Sequence, residues 1–198
     1  MLYLKFKRLC DFLIALIGLV ILSPVFLFAM LMIKIDSKGP VFFKQKRVGR
    51  NKKYFYIIKF RTMRIDTPND MPTHLLENPE KWITKTGKLL RKTSLDEIPQ
   101  IINIIIGNMS IIGPRPALWN QFDLIAEREK YGIHKLHPGL TGYAQINGRD
   151  ELSVLEKAKL DAYYAQHINL WLDVKIFFST FLSIVKSEGI VEGGKKLK

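Results

Sequence analysis

Three clusters in this sequence combine residue types and spacing that could do chemistry. The first is Ser94-Leu95-Asp96-Glu97, two adjacent carboxylates with Arg91 and Lys92 just before them and Arg115 further on. Nearby cations and the positive end of a helix dipole both favour an ionised carboxylate. That is the state a carboxylate nucleophile or a Mg2+ ligand needs, so Asp96 and Glu97 are candidates for both roles. The same four residues also fit a capping box, S-x-x-E, in which Ser94 and Glu97 merely satisfy the free N–H groups of a helix start. The second cluster is Gly113-Pro114-Arg115-Pro116. Two prolines stiffen the loop that carries Arg115, and a fixed guanidinium suits bidentate phosphate binding. A plain turn with its arginine in solvent is the structural alternative. The third is Pro138-Gly139-Leu140-Thr141-Gly142 with Asn147-Gly148-Arg149. Glycines there would let backbone N–H groups approach a ligand closely. Neither the Walker A pattern nor G-x-G-x-x-G occurs, so a standard nucleotide-binding fold is not indicated. The histidines are His74, His134, His137 and His167; His134 and His137 have helix-face spacing, but no third ligand is near them and zinc is not expected.

These clusters need elements to hold them, and the most distinctive element is apolar. Residues 12–33 form a run of 22 without a charge. As one straight helix it would be about 33 Å long, against a hydrocarbon core of roughly 30 Å. Hydropathy alone reads it as a single membrane span. Ser23-Pro24 interrupts it midway, where proline deletes a helix hydrogen bond and clashes with the preceding turn. A serine can satisfy part of the freed backbone. Lys5, Lys7 and Arg8 precede the run, and Lys34, Lys38, Lys44, Lys46 and Arg47 follow it. Positive charge stays cytoplasmic, so a true span would carry one basic cluster to the wrong side. A re-entrant helical hairpin, broken at Ser23 and Pro24, keeps both on one face. No cleaved signal peptide is expected, because the run is too long and ends without a small-x-small site.

Strands are expected at 41–48 and 54–62, joined through Gly49-Arg50-Asn51-Lys52 as a hairpin. Alternation then puts Lys59 and Arg61 on the same strand face. Residues 66–79, with Pro68, Pro72 and Pro79, read as a loop. Helices are expected over 80–90, 95–106, 118–131, 151–167 and 171–186, with loops over 107–116 and 137–149. The last helix is amphipathic, with Trp171, Val174, Phe178, Phe181, Leu182 and Val185 opposite Asp173, Lys175, Ser179, Ser183 and Lys186. That apolar face suits either core packing or the membrane interface. The fold class expected is α+β and predominantly helical, with residues 1–36 as membrane hairpin and 37–198 as a cytoplasmic, membrane-associated catalytic domain.

Composition narrows the partners. The chain has 198 residues, 31 Lys+Arg against 18 Asp+Glu, a net charge of +13 and 47% hydrophobic residues. So apolar a chain is not intrinsically disordered, and one apolar run excludes a polytopic transporter. The single cysteine, Cys10, excludes a disulfide scaffold and a cysteine-based zinc site. The positive excess points to an anion: nucleic acid, anionic lipid or a phosphorylated substrate. Ten of the thirteen net charges fall within residues 34–64, directly after the apolar run, where they suit anionic membrane lipid. No recognised nucleic-acid motif accompanies them, and nucleic acid is not expected as a partner. A non-enzymatic membrane scaffold would explain this segment but would leave the acid pair and the arginine loop unused.

In order along the chain, several motifs match one family. They are Gly39-Pro40-Val41-Phe42-Phe43-Lys44-Gln45-Lys46-Arg47-Val48-Gly49, Lys59-Phe60-Arg61-Thr62-Met63 and Ser94-Leu95-Asp96-Glu97-Ile98-Pro99-Gln100. Gly113-Pro114-Arg115-Pro116, Pro138-Gly139-Leu140-Thr141-Gly142, Gln145-Ile146-Asn147-Gly148-Arg149 and Leu172-Asp173-Val174-Lys175-Ile176 follow. Together they resemble the signature of the bacterial sugar transferases, the monotopic polyprenol-phosphate phosphoglycosyl transferases, and the length corresponds to minimal members. The resemblance implies a UDP-sugar donor, a polyprenyl phosphate acceptor (usually undecaprenyl phosphate), Mg2+, and a place on the cytoplasmic face of the bacterial inner membrane. It implies that Asp96 attacks the β-phosphorus and expels UMP, that Glu97 assists either through Mg2+ or by activating the acceptor, and that the lipid phosphate then takes the phospho-sugar from Asp96. Lys59, Arg61, Arg91 and Arg115 become candidate phosphate contacts, and Asp173 a weaker, structural one. Ala117 and His137 depart from the residues common in the family, which leaves the sugar open. The glycan pathway and a homo-oligomeric state are also open.

Overall fold

A computed structural model describes residues 2–68, 78–186, 191–192 and 195–196. His74, Pro72 and most of the expected 66–79 loop lie outside the described residues. The fold is predominantly helical with little sheet. Two helices open it, α1 (Leu2–Ile21) and α2 (Ser23–Asp36), bent by 61° at the break between them. The break sits at Leu22, and Pro24 falls in the first turn of α2, where its missing N–H costs nothing. Ser23 Oγ donates to Val20 O at 2.8 Å, satisfying one carbonyl left by the interruption. Among the described residues no single helix is long and apolar enough to cross a membrane; α1 and α2 together are.

The expected hairpin forms from β1 (Phe42–Val48) and β2 (Tyr54–Phe60), antiparallel, with Phe42 opposite Phe60 and Val48 opposite Tyr54. A turn of 3-10 helix with Asn51 in the left-handed region joins them. The remaining helices are α3 (Lys85–Lys92), α4 (Gln100–Ile105), α5 (Phe122–Lys130), α6 (Tyr143–Ile146), α7 (Val154–Gln166) and α8 (Leu170–Lys186). The helix expected over 95–106 is therefore split into a 3-10 turn, Leu95–Glu97, and a short α4. The helices expected over 80–90 and 118–131 are also shorter than the periodicity suggested. A second pairing was not anticipated: β3 (Ser110–Ile112) runs parallel to β4 (Gly139–Thr141), joining two segments expected to be loops.

Among the described residues the apolar interior has three clusters of buried residues, bridged by the partly buried Leu19, Leu22, Ile98 and Ile111. Ala15 of α1 packs with Phe55, Ile57, Ile101, Ile104 and Met109. Phe26, Ala29 and Ile33 of α2 pack with Val41, Phe60 and Leu90. Ile112, Tyr164 and Ile176 form the third. The other sides of α1 and α2 are bare, with Ile17, Val20, Leu27, Phe28 and Leu31 exposed. On α8 the face packed inward carries Asp173 and Ile176, while Trp171, Phe178, Phe181 and Leu182 are exposed. The apolar stripe of α8 thus faces outward, which disfavours core packing for it.

Candidate active site

The acid pair is presented by a sharp reversal after α3. Ser94 adopts φ 55° and ψ 16°, in the left-handed region, and the Leu95–Glu97 turn follows at once. An N-cap residue needs extended backbone to aim its side chain at the N3 amide. Ser94 does not have it and makes no cap hydrogen bond, so the capping box is not formed. Glu97 is used elsewhere. Its Oε1 accepts from Lys59 Nζ at 2.7 Å and from Arg115 Nη2 at 2.9 Å, and Oε2 accepts from Arg115 Nη1 at 3.4 Å. Lys59 comes from β2 and Arg115 from the loop after β3, so three segments distant in sequence meet on one carboxylate.

The two acids are driven apart electrostatically. Burial alone would raise Glu97, but the Arg115 and Lys59 charges and the Arg115 hydrogen bond hold it well below the usual glutamate range. Asp96 moves up: burial dominates, the Glu97 charge adds to it, and Lys59, Arg91 and Arg115 oppose it. Burial pushes the Lys59 ammonium down, against the pull of Glu97. Glu97 is therefore a fixed anion, and Asp96 is the acid whose protonation responds to its surroundings. Sequence reasoning expected the cations to hold both ionised. Neighbouring carboxylates driven apart in this way take different chemical roles.

The Arg115 loop is held at four successive carbonyls. Pro114 O accepts from Gly139 N at 2.9 Å, Arg115 O from Arg128 Nη1 at 2.8 Å, Pro116 O from Arg47 Nη1 at 3.0 Å and Ala117 O from Val48 N at 2.9 Å. Gly113, Gly139 and Gly142 permit this packing. A Cβ on Gly139 would lie 2.1 Å from Gly113 N, and one on Gly142 would lie 2.1 Å from Gly113 O. These glycines serve backbone-to-backbone contact between the β3 and β4 segments.

The other anticipated residues fall in different places. Arg91, on α3, reaches Thr62 Oγ1 at 3.5 Å and bears electrostatically on Asp96. Gly87 lets α3 sit there, since a Cβ on it would be 2.0 Å from Thr62 O. Arg61 turns away from Lys59. It is buried and donates to Lys38 O at 2.7 Å and to Ser37 O and Oγ at 2.8 Å, closing the chain after α2. Strand alternation puts Lys59 and Arg61 on one face, but β2 ends at Phe60 and their side chains part. Asp173 is structural: it accepts from Tyr3 and Tyr164 hydroxyls at 2.6 and 2.7 Å and pairs with Lys7 at 3.0 Å. His134 Nε2 bonds Ile125 O at 3.0 Å. Sequence reasoning missed Arg47 and Arg128, and it did not place Arg149 near Glu97, on which Arg149 bears electrostatically. Arg47 lies within the Gly39–Gly49 motif, which gave no hint of its partner, and no motif marks Arg128.

Among the described residues no three His, Cys, Asp or Glu side chains gather to hold a metal. Mg2+ keeps several waters and binds through one or two carboxylates plus substrate phosphates. Asp96, beside a Glu97 already occupied by two cations, fits that kind of partial donor set.

Comparison with known proteins identifies the family. The bacterial sugar transferase family model matches residues 2–187. The sugar transferase EpsL of Bacillus subtilis (strain 168) is 41% identical over 184 residues, covering 93% of this chain and 89% of that protein. The UDP-glucose:undecaprenyl-phosphate glucose-1-phosphate transferase of Escherichia coli (strain K12) is 40% identical over 187 residues, covering 88% of this chain but 39% of that longer protein. The UDP-N-acetylgalactosamine-undecaprenyl-phosphate N-acetylgalactosaminephosphotransferase of Aeromonas hydrophila is 36% identical over 193 residues, covering 94% of this chain and 45% of that protein. The chain belongs to the bacterial sugar transferase family.

Proposed function

We propose that this chain is a polyprenyl-phosphate phosphoglycosyl transferase. It moves a phospho-sugar from a UDP-sugar to polyprenyl phosphate, undecaprenyl phosphate in bacteria, at the first membrane step of glycoconjugate or exopolysaccharide synthesis. The observation that carries this reading is Asp96 beside a Glu97 locked by Lys59 and Arg115, on a body whose bent helix pair exposes an apolar surface. An Asp96 carboxylate oxygen attacks the β-phosphorus of the donor. The bond from that phosphorus to the bridging oxygen breaks, and UMP leaves. The acceptor phosphate oxygen then attacks the same phosphorus, breaks its bond to Asp96 and carries away the phospho-sugar. Asp96 must be ionised to attack, and the positive charge of Arg91, Lys59 and Arg115 around it favours that form. Arg91 and Arg115 neutralise charge on the diphosphate, while Glu97 fixes the orientation of Arg115 and Lys59. Asp96, with Glu97 beside it engaged by Lys59 and Arg115, would hold Mg2+, which would supply further neutralisation of the diphosphate.

The same reading places the chain on the cytoplasmic face of the inner membrane as a re-entrant, monotopic protein. Attachment at both ends of the α1–α2 pair supports this. Tyr3 and Lys7 bond Asp173, Arg8 bonds Ile104 O and Met109 O, and Asp11 accepts from Ser110 Oγ. At the far end Asp36 accepts from Thr86 N at 2.7 Å, and Arg61 closes residues 37 and 38. Both ends join one body, as expected if that body lies on one side of a membrane.

The test is UMP release from candidate UDP-sugars by the protein in membranes with polyprenyl phosphate and Mg2+. Asp96→Asn is expected to abolish release. Turnover at the wild-type rate in that variant overturns the nucleophile assignment.

A further inference from the structure

Two of the four donors that hold the Arg115 loop are arginine side chains, and one of them is itself held by a buried acid. Arg128 on α5 donates Nε and Nη2 to Asp161 Oδ2 on α7, at 2.9 and 2.5 Å. Both residues are inside the protein: Arg128 is 4% exposed and Asp161 is 0% exposed. Among the described residues Asp161 Oδ1 is buried without a hydrogen-bond partner, so the pair is incompletely satisfied there. A buried ion pair is a weak means of joining two helices, because apolar residues of the same volume do it as well or better. What an apolar pair cannot do is donate the remaining Nη1 to Arg115 O, which Arg128 does at 2.8 Å.

The consequence falls on the reacting centre. The Arg115 guanidinium is bonded through two nitrogens to Glu97, and its backbone is bonded through its carbonyl to Arg128. Asp161 orients Arg128, Arg128 fixes the Arg115 main chain, and Arg115 stands over the acid pair. We propose that Arg128, oriented by Asp161, is a positioning residue for the donor diphosphate, acting through the backbone of Arg115. This rests on the assignment of Arg115 as a phosphate contact in the transferase reading. Loss of that hydrogen bond would free the root of a diphosphate-binding group, so its effect is read as weaker donor binding.

The experiment replaces the pair by apolar residues, Arg128→Met with Asp161→Leu, in the full chain in membranes. The expected result is a melting temperature near wild type and a KM for the UDP-sugar raised about tenfold, with kcat changed much less, as for lost phosphate binding. Arg128→Lys, which keeps the charge beside Asp161 but not the fork, should fall between. A double variant that melts with wild type and keeps the wild-type KM overturns the proposal. Should the apolar pair fail to fold, Arg128→Lys is combined with Arg115→Lys. If Arg128 acts through Arg115, its substitution adds nothing to KM in the Arg115→Lys background, and full additivity overturns the proposal. Wild-type UMP release is the control for the transferase reading itself. Without it, the same variants are compared for affinity to inorganic pyrophosphate by calorimetry. Affinity weakened by Arg128→Lys only when Arg115 is present upholds the positioning while the transferase reading falls. No pyrophosphate binding by wild type overturns both.

Discussion

Asp96 and Glu97 are neighbours in sequence and differ in state because their surroundings differ. Glu97 has two cations on its oxygens; Asp96 has burial and the Glu97 charge against it. The acid limb of kcat/KM for UMP release should therefore fall above the usual aspartate range of about 3.9. The sign follows from the raised Asp96: activity is lost as pH falls through that raised value, because the protonated form cannot attack. A limb at or below 3.9, measured with a donor that carries no titrating group there, would contradict the assignment. Arg61 gives the opposite kind of prediction. It bonds only the segment after α2 in the contacts described, so Arg61→Ala should cost about 1–3 kcal/mol of stability by removing the donor to the Ser37 and Lys38 carbonyls. The donor KM should move less than twofold. A large KM change with an unchanged denaturation midpoint would return Arg61 to the phosphate site.

At the scale of elements, two S-x-x-E sequences diverge. Ser153 and Glu156 form the capping box that opens α7, with Ser153 in the extended region at φ −63° and ψ 164°. Ser94 and Glu97 do not, because Ser94 is left-handed and Glu97 is taken by residues from β2 and the Arg115 loop. Nothing local distinguishes the two patterns; the competing partners come from 38 and 18 residues away in the chain. The β3–β4 pairing was invisible for a related reason. Its strands are only three residues each, too short to carry an alternation to read. They pair because Gly113, Gly139 and Gly142 allow backbone contact. Gly139→Ala should cost about 2–4 kcal/mol from overpacking. It should also lower activity by displacing the Arg115 loop. A denaturation midpoint equal to wild type would show that this contact yields easily.

The whole molecule is a small body tied to both ends of a bent helix pair. The basic segment after that pair has two uses. Arg47, Lys59 and Arg61 are committed to partners inside the protein, whereas Lys38, Lys44 and Lys53 are exposed and free to meet anionic lipid. Single cysteines at Lys5 and Lys38, both exposed positions, in a chain whose Cys10 is replaced by serine, should label from the same side of the membrane. Labelling from opposite sides would refute the re-entrant arrangement and would require the α1 contacts to Asp173 and Ser110 to break.

By itself the sequence determined the class of fold, the break at Ser23-Pro24 and the hairpin, and it singled out the acid pair as the candidate centre of the chemistry. Those are local signals: a proline inside an apolar run, strand alternation, and adjacent carboxylates among cations. Only the tertiary structure decided which acid is held as an anion, that Arg61 serves the chain after α2, and that Arg47 and Arg128 hold the loop carrying Arg115. Those outcomes depend on hydrogen-bond geometry between segments far apart in the chain, where the pattern along any one segment carries no record of its partner.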